Sequence, residues 1–80
     1  MRLDKYLKVS RLIKRRTLAK EACTKGLILV NGRLAKPGTA VKPGDTIELT
    51  FGTKTRKVRV LEVRESASAD QARKMYQEEG

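Results

Sequence analysis

The sequence predicts an α+β fold: two N-terminal helices packed on a small antiparallel sheet of four to five short strands, then a short C-terminal helix. Three observations carry this. Apolar residues recur at helical spacing as far as Cys23, then switch after Gly26 to a short continuous apolar run. Asn31-Gly32 follows that run at once, a strong two-residue hairpin signal. Lys42-Pro43-Gly44-Asp45 then precedes an alternating segment, with proline pre-setting one turn position and glycine supplying positive φ at the next.

Leu3, Tyr6, Leu7 and Val9 are spaced for a helix over residues 2–9, with Arg2, Asp4, Lys5 and Lys8 between them. Residues 10–16 form a basic connector with room for a turn at Leu12-Ile13. Thr17 is the expected start of the second helix, with Leu18, Ala19, Ala22 and Cys23 as its buried stripe and Gly26 as its left-handed stop. Residues 27–30 form a strand that turns at Asn31-Gly32 into a return strand over 33–36, broken by Pro37-Gly38. Ile47, Leu49 and Phe51 alternate with Thr46, Glu48 and Thr50, a half-buried strand whose three apolar side chains point inward. Beyond a turn at 52–54, Val58 and Val60 alternate with Lys57 and Arg59, whereas Leu61 and Val63 take the other phase. A bulge or twist is therefore expected near Val60. Ser68-Ala69-Asp70-Gln71 matches a capping box and opens a helix expected over 69–78, with Ala72, Met75 and Tyr76 on one apolar face. That face is expected to pack on the domain, a partner-docking helix being the alternative. Residues 1–65 are read as one domain, and 66–80 as a linker and short helix.

The net charge of +10 belongs to the body of the chain. Residues 1–64 hold seventeen basic and five acidic side chains, and residues 65–80 hold two and four. Such a surface calls for a polyanion, either nucleic acid or an acidic membrane. Membrane adsorption wants an amphipathic helix with aromatic anchors, and the only aromatics are Tyr6, Phe51 and Tyr76. The absence of histidine excludes His-based acid–base catalysis, His-dependent triads and Cys/His zinc sites. Cys23, the single cysteine, excludes an internal disulfide, suits a reducing cytosol and reads as a buried thiol. No apolar run approaches a membrane span and no signal-peptide core is present, so a cytoplasmic location is expected. There is no paired-carboxylate site, no nucleophile–base pair and no glycine-rich phosphate loop. The chain is expected to be a binder rather than an enzyme, with no cofactor and no metal.

The first 25 residues hold nine basic and two acidic side chains. Arg2, Lys5 and Lys8 recur every third residue and line one side of the first helix, and Arg11 continues the series. Lys14-Arg15-Arg16 then stacks three cations where a loop meets a helix start, whose free N–H groups also favour an anion. Arginine at 15 and 16 adds a planar fork for bidentate phosphate contact. Thr17 is read first as that helix's cap, with its hydroxyl also in reach of a phosphate. Arg33 joins the set from the exposed hairpin loop. Asp4 is read as structural, capping the chain start or pairing with Arg2 or Lys8. With so few aromatic platforms, base stacking is disfavoured, and structured RNA bound by shape and backbone is the better target.

The order of motifs resembles the S-four domain, the small RNA-binding domain named after ribosomal small-subunit protein four. The matching residues are Arg2-Leu3-Asp4, Leu7, Arg16-Thr17-Leu18-Ala19, Gly26 through Val30-Asn31-Gly32, and Pro43-Gly44-Asp45, together spanning roughly residues 1–51. Arg15 departs from the pattern, in which serine is common. The resemblance implies an αL-type RNA-binding motif, with Arg2 and Arg16 as principal RNA contacts. Among stand-alone members, the stretch from Arg2 to Glu21 is most similar to the ribosome-associated quality-control type. That likeness implies large-subunit rRNA and peptidyl-tRNA as partners, on obstructed large ribosomal subunits. There the protein would hold P-site tRNA while an elongation partner protein directs alanine tailing of the stalled chain. A monomer is expected. Three alternatives stay open: a heat-shock-type recycler of free large subunits, an RNA-guide subunit of an RNA-modifying enzyme, and a small basic DNA-binding protein.

Overall fold

The computed structural model describes residues 1–79. In chain order they form α1 (Leu3–Val9), α2 (Arg16–Thr24), β1 (Ile28–Val30), β2 (Arg33–Leu34), β3 (Thr46–Phe51), β4 (Lys54–Val60), α3 (Ala69–Arg73) and β5 (Tyr76–Glu78). The α+β expectation holds, with all five strands in one antiparallel sheet ordered β2-β1-β3-β4-β5.

The register explains which face meets the helices. Ile28 lies opposite Leu49, Val30 opposite Ile47, and Ile47 opposite Val58, so one face is a continuous block of β-branched and leucine side chains. Leu3, Tyr6 and Leu7 of α1 and Ala19, Ala22 and Cys23 of α2 share one buried core with that block. Ala19 and Ala22 of α2 are buried, and no buried side-chain polar atom is left unpaired among the described residues. Asn31 and Gly32 take φ of 51° and 80°, the two left-handed positions that a tight primed hairpin turn demands.

The expected bulge lies just past β4. The N–H groups of Leu61 and Glu62 both donate to the Met75 carbonyl, at 2.8 and 3.2 Å, placing two residues against one. The buried Tyr6 hydroxyl donates to the same carbonyl at 2.8 Å, tying α1 to the far end of the chain.

Four local expectations are corrected. The C-terminal helix opens with the capping box as read, Ser68 and Gln71 exchanging bonds of 3.0 and 3.2 Å, but it stops at Arg73. Residues 76–78 instead pair with β4, which would otherwise present seven residues of open edge. Arg56 pairs with Glu78 and stacks over the Tyr76 ring, while Arg59 reaches Glu79 at 3.2 Å. The helical spacing of Ala72 and Met75 survives as two buried side chains, one in α3 and one in the turn after it. Leu18 and Phe51, expected inside, are 46 % and 44 % exposed. Leu18 lies at the border of the narrow stripe of Ala19, Ala22 and Cys23, and Phe51 is the last residue of β3 before the turn to its partner Lys54. The return strand is two residues long, and the Lys36 N–H turns away from the sheet to the Thr39 hydroxyl at 2.8 Å ahead of Pro37.

Met75 is fully buried where β5, α1 and the bulge meet. Met75→Ala is expected to destabilise the domain by about 2–5 kcal/mol. Urea unfolding followed by circular dichroism checks this; a loss under about 1 kcal/mol would instead mean that the tail is a loosely docked appendage.

Candidate nucleic-acid interface

Asp4 is the point from which the basic face is built. Its side chain is fully buried one residue into α1, where an unpartnered carboxylate would be costly. It accepts from Arg2 through Nε at 3.1 Å and Nη2 at 3.2 Å, from Arg16 Nη2 at 3.3 Å, and from the Lys5 backbone N–H at 2.8 Å. Burial by itself pushes this carboxyl up, but the bonds from Arg2, Arg16 and the Lys5 N–H outweigh it and hold its pKa down at about 2. The Arg2 and Arg16 side chains remain 54 % and 43 % exposed, and each guanidinium has donors beyond those given to Asp4 for an outside anion. Sequence reasoning expected Arg2 or Lys8 as the partner of Asp4. The structure gives Arg2 and adds Arg16, twelve residues on, which no local spacing would suggest.

The start of α1 is closed to ligands. Leu3 N–H donates to the Thr39 carbonyl at 2.8 Å and Asp4 N–H to the Pro37 carbonyl at 3.1 Å, so the loop after β2 occupies the helix terminus. The start of α2 is different. Its N-cap position is Arg15, no side chain caps it, and no acidic residue lies in its first turn. Thr17 is therefore not the cap; it is the exposed second residue of the helix, and the helix start is left without a side-chain cap beside Arg15 and Arg16. Arg15 and Lys14 are exposed and form no ion pair among the described residues.

The other candidates divide into two places. Lys8, Arg11 and Lys14 line a cleft of about 540 Å³ between the end of α1 and residues 65–67. Lys5 sits near this cleft but its ammonium is engaged by Glu65. Arg33 does not join them. It pairs across the hairpin with Val30 and lines a hollow beside Thr39, Ala40 and Lys42.

A second knot fixes the hairpin. Asn31 Nδ2 donates to Asp45 Oδ1 at 3.1 Å, and Asn31 Oδ1 accepts from the Thr46 N–H at 3.0 Å. Asp45 also accepts from the Lys42 N–H at 2.9 Å and its Nζ at 3.1 Å. Burial raises the Asp45 pKa, while Asn31 and Lys42 bring it below the ordinary carboxylate value. The two turn signals of the sequence are thus halves of one hydrogen-bonded unit, and Asn31 is occupied structurally.

The S4 domain profile matches residues 1–47, which covers both helices, the hairpin and the Asp4 and Asn31–Asp45 knots. The chain belongs to the S4 domain family. Its sequence is 58 % identical over 76 residues to the RQC P-site tRNA stabilizing factor of Listeria monocytogenes, spanning 95 % of this chain and 83 % of that protein. It is 42 % identical over 79 residues to the heat shock protein 15 homolog of Aeromonas salmonicida, spanning 98 % of this chain and 60 % of that one. The trimeric structure of Vibrio cholerae heat shock protein 15 superposes with a TM-score of 0.91 at 31 % identity, covering 99 % and 81 % of the two chains.

In this S4 domain the family motifs have physical jobs that their spacing concealed. Arg2-Leu3-Asp4 and Arg16 meet at one carboxylate, and Asn31-Gly32 and Pro43-Gly44-Asp45 meet at another. What sequence reading missed is a hollow of about 400 Å³ beside Lys14, where Leu18 and Phe51 are part of the lining. Its only sequence signal is the position of Phe51 at a strand end, where alternation no longer dictates burial. Cys23 is buried as read, and burial pushes its thiol pKa up.

The depressed pKa of Asp4 sets a pH dependence. The folded state holds the carboxylate against protonation while the unfolded chain titrates near 4, so this contribution is full above pH ~4 and fades as pH falls toward about 2. Asp4→Asn is expected to flatten that part of the stability profile by at most about 2 kcal/mol, given partners that are half in water. Urea melts between pH ~5 and ~2 measure it; an unaltered acid limb in the variant would show that other carboxylates control acid unfolding.

Proposed function

We propose that the chain is a non-catalytic RNA-binding factor of bacterial ribosome-associated quality control. It binds obstructed large ribosomal subunits through rRNA and peptidyl-tRNA, and it steadies the P-site tRNA while an elongation partner directs C-terminal alanine tailing of the stalled chain. The observation that carries this reading is the pair of half-exposed guanidinium groups, Arg2 and Arg16, on one buried carboxylate beside the uncapped start of α2. Pre-set guanidinium forks and a free helix terminus are what backbone phosphates require. Relatives named as P-site tRNA stabilizing factors, at 53 % to 58 % identity over nearly the whole chain, support the choice of RNA and of pathway.

Arg2, Arg15 and Arg16 supply the main contacts in this reading, with Lys14 and Thr17 beside them and Lys8 and Arg11 further along. In this reading the factor acts as a monomer. Two packed helices hold the cations apart from one another, and the sheet serves as their scaffold.

Charge reversal at position 16 would set a second carboxylate against buried Asp4, so neutral replacements make the cleaner test. Arg15→Gln with Arg16→Gln keeps a donor for Asp4 and is expected to abolish co-sedimentation with large subunits at about 100 mM salt, with an unchanged circular dichroism spectrum. Each single variant is expected to lower the salt dependence of binding by about one counterion. Full co-sedimentation of the folded double variant would overturn the reading. Capture of rRNA-free duplex DNA in preference to subunits would replace it with the DNA-binding one.

A further inference from the structure

The first two helices end in the same way with different residues. After the C-cap of α2, Gly26 takes the left-handed conformation at φ 74°. After the C-cap of α1, Arg11 takes it at φ 63°. Glycine bears that conformation without a side-chain clash, and asparagine, as at Asn31, tolerates it through local bonds. Arginine has neither excuse. Its side chain also forms no hydrogen bond or ion pair among the described residues that would offset the strain, and Lys8 already complements the helix terminus.

The direction of Arg11 gives the strain a purpose. Together with Lys8 and Lys14 it lines the cleft of about 540 Å³, against Leu12 and the opposing residues Glu65 and Ser66. Three cations with no partner among the described residues, set in a concave site, focus potential on an anion, and a serine hydroxyl adds a donor. The one acid in the lining, Glu65, is 81 % exposed and pairs with Lys5 across sixty positions of chain. Such a surface pair contributes little to stability.

We propose that this cleft is a phosphodiester pocket for a second stretch of RNA backbone, anchored by Arg11, and that Glu65 restrains it by occupying Lys5. It rests on the RNA-binding reading above and adds to it a separate contact at the opposite end of α1 from Asp4. Asp4 and α2 hold one backbone segment; the cleft holds another. Glu65 weakens the second contact twice over, by repelling phosphate and by withdrawing a cation, and so keeps low-affinity RNA from lodging there.

Arg11→Gly separates strain from charge. With fluorescein-labelled tRNA as the probe in anisotropy titrations at several salt concentrations, it is expected to weaken binding about three- to ten-fold and to lower the salt slope by about one. At the same time its melting temperature rises, because the strain is gone. Arg11→Lys retains both charge and strain and is expected to bind nearly as the parent does. Glu65→Gln is expected to tighten binding about two- to five-fold with an unchanged melting temperature. A more stable Arg11→Gly variant with unchanged affinity overturns the pocket, and an unchanged Glu65→Gln variant overturns the restraint. If Arg15→Gln with Arg16→Gln loses the probe while Arg11→Gly does not, the pocket alone fails. If neither loses it, the RNA-binding reading fails as well.

Discussion

One buried carboxylate governs the arrangement of everything around it. Asp4 enters the core at the head of α1, where an anion without partners would be too costly to keep. The groups that make it tolerable are the ones that define the basic face: a guanidinium from the helix start, a second from the start of α2, and a backbone N–H. Charge neutralisation and interhelix geometry are therefore the same interaction. Cations that would repel one another in solution are brought to fixed separation by an acid that never meets solvent, and their outer edges stay wet.

The hairpin shows the same economy on a smaller scale. Asp45 is nearly buried and satisfied by Asn31 and Lys42, and that arrangement pins the β1–β2 turn to the turn before β3. The loop between them in turn closes the head of α1 through the Thr39 and Pro37 carbonyls. A chain of polar contacts thus runs from the sheet edge to the two arginines. The core beneath, made of Ile28, Val30, Ile47, Leu49 and Val58 against Leu3, Tyr6 and Leu7, supplies bulk stabilisation with no directional preference. Orientation comes from the polar knots.

Most of the architecture was legible in the sequence because its punctuation is local. Gly26, Asn31-Gly32, Pro43-Gly44 and the Ser68–Gln71 capping box act within four residues, and each stands where it was read. What escaped depends on partners distant in sequence. Residues 74–78 carry a helical spacing, yet the open edge of β4 offers hydrogen bonds that a lone helical turn cannot match. Leu18 and Phe51 have the composition of core residues but lie where the covering layer ends. Among the site residues, the cluster of cations was plain from counting charges. Their division was not: Arg16 belongs with Arg2, Lys5 with Glu65, and Arg33 with neither, and only the crossing of α1, α2 and the tail decides that.

The meeting of Tyr6 with the Met75 carbonyl carries a consequence for how the molecule is made. It joins positions 69 residues apart, and the sheet behind it is closed by the strand that follows Met75. Loops of that span are costly to close, so this contact is expected to form after the local β1–β2 and β3–β4 hairpins. Until β5 pairs with β4, Tyr6 lacks the carbonyl that takes its hydroxyl. The head of the basic face and the closing edge of the sheet are thus coupled through one backbone carbonyl, which both of them need.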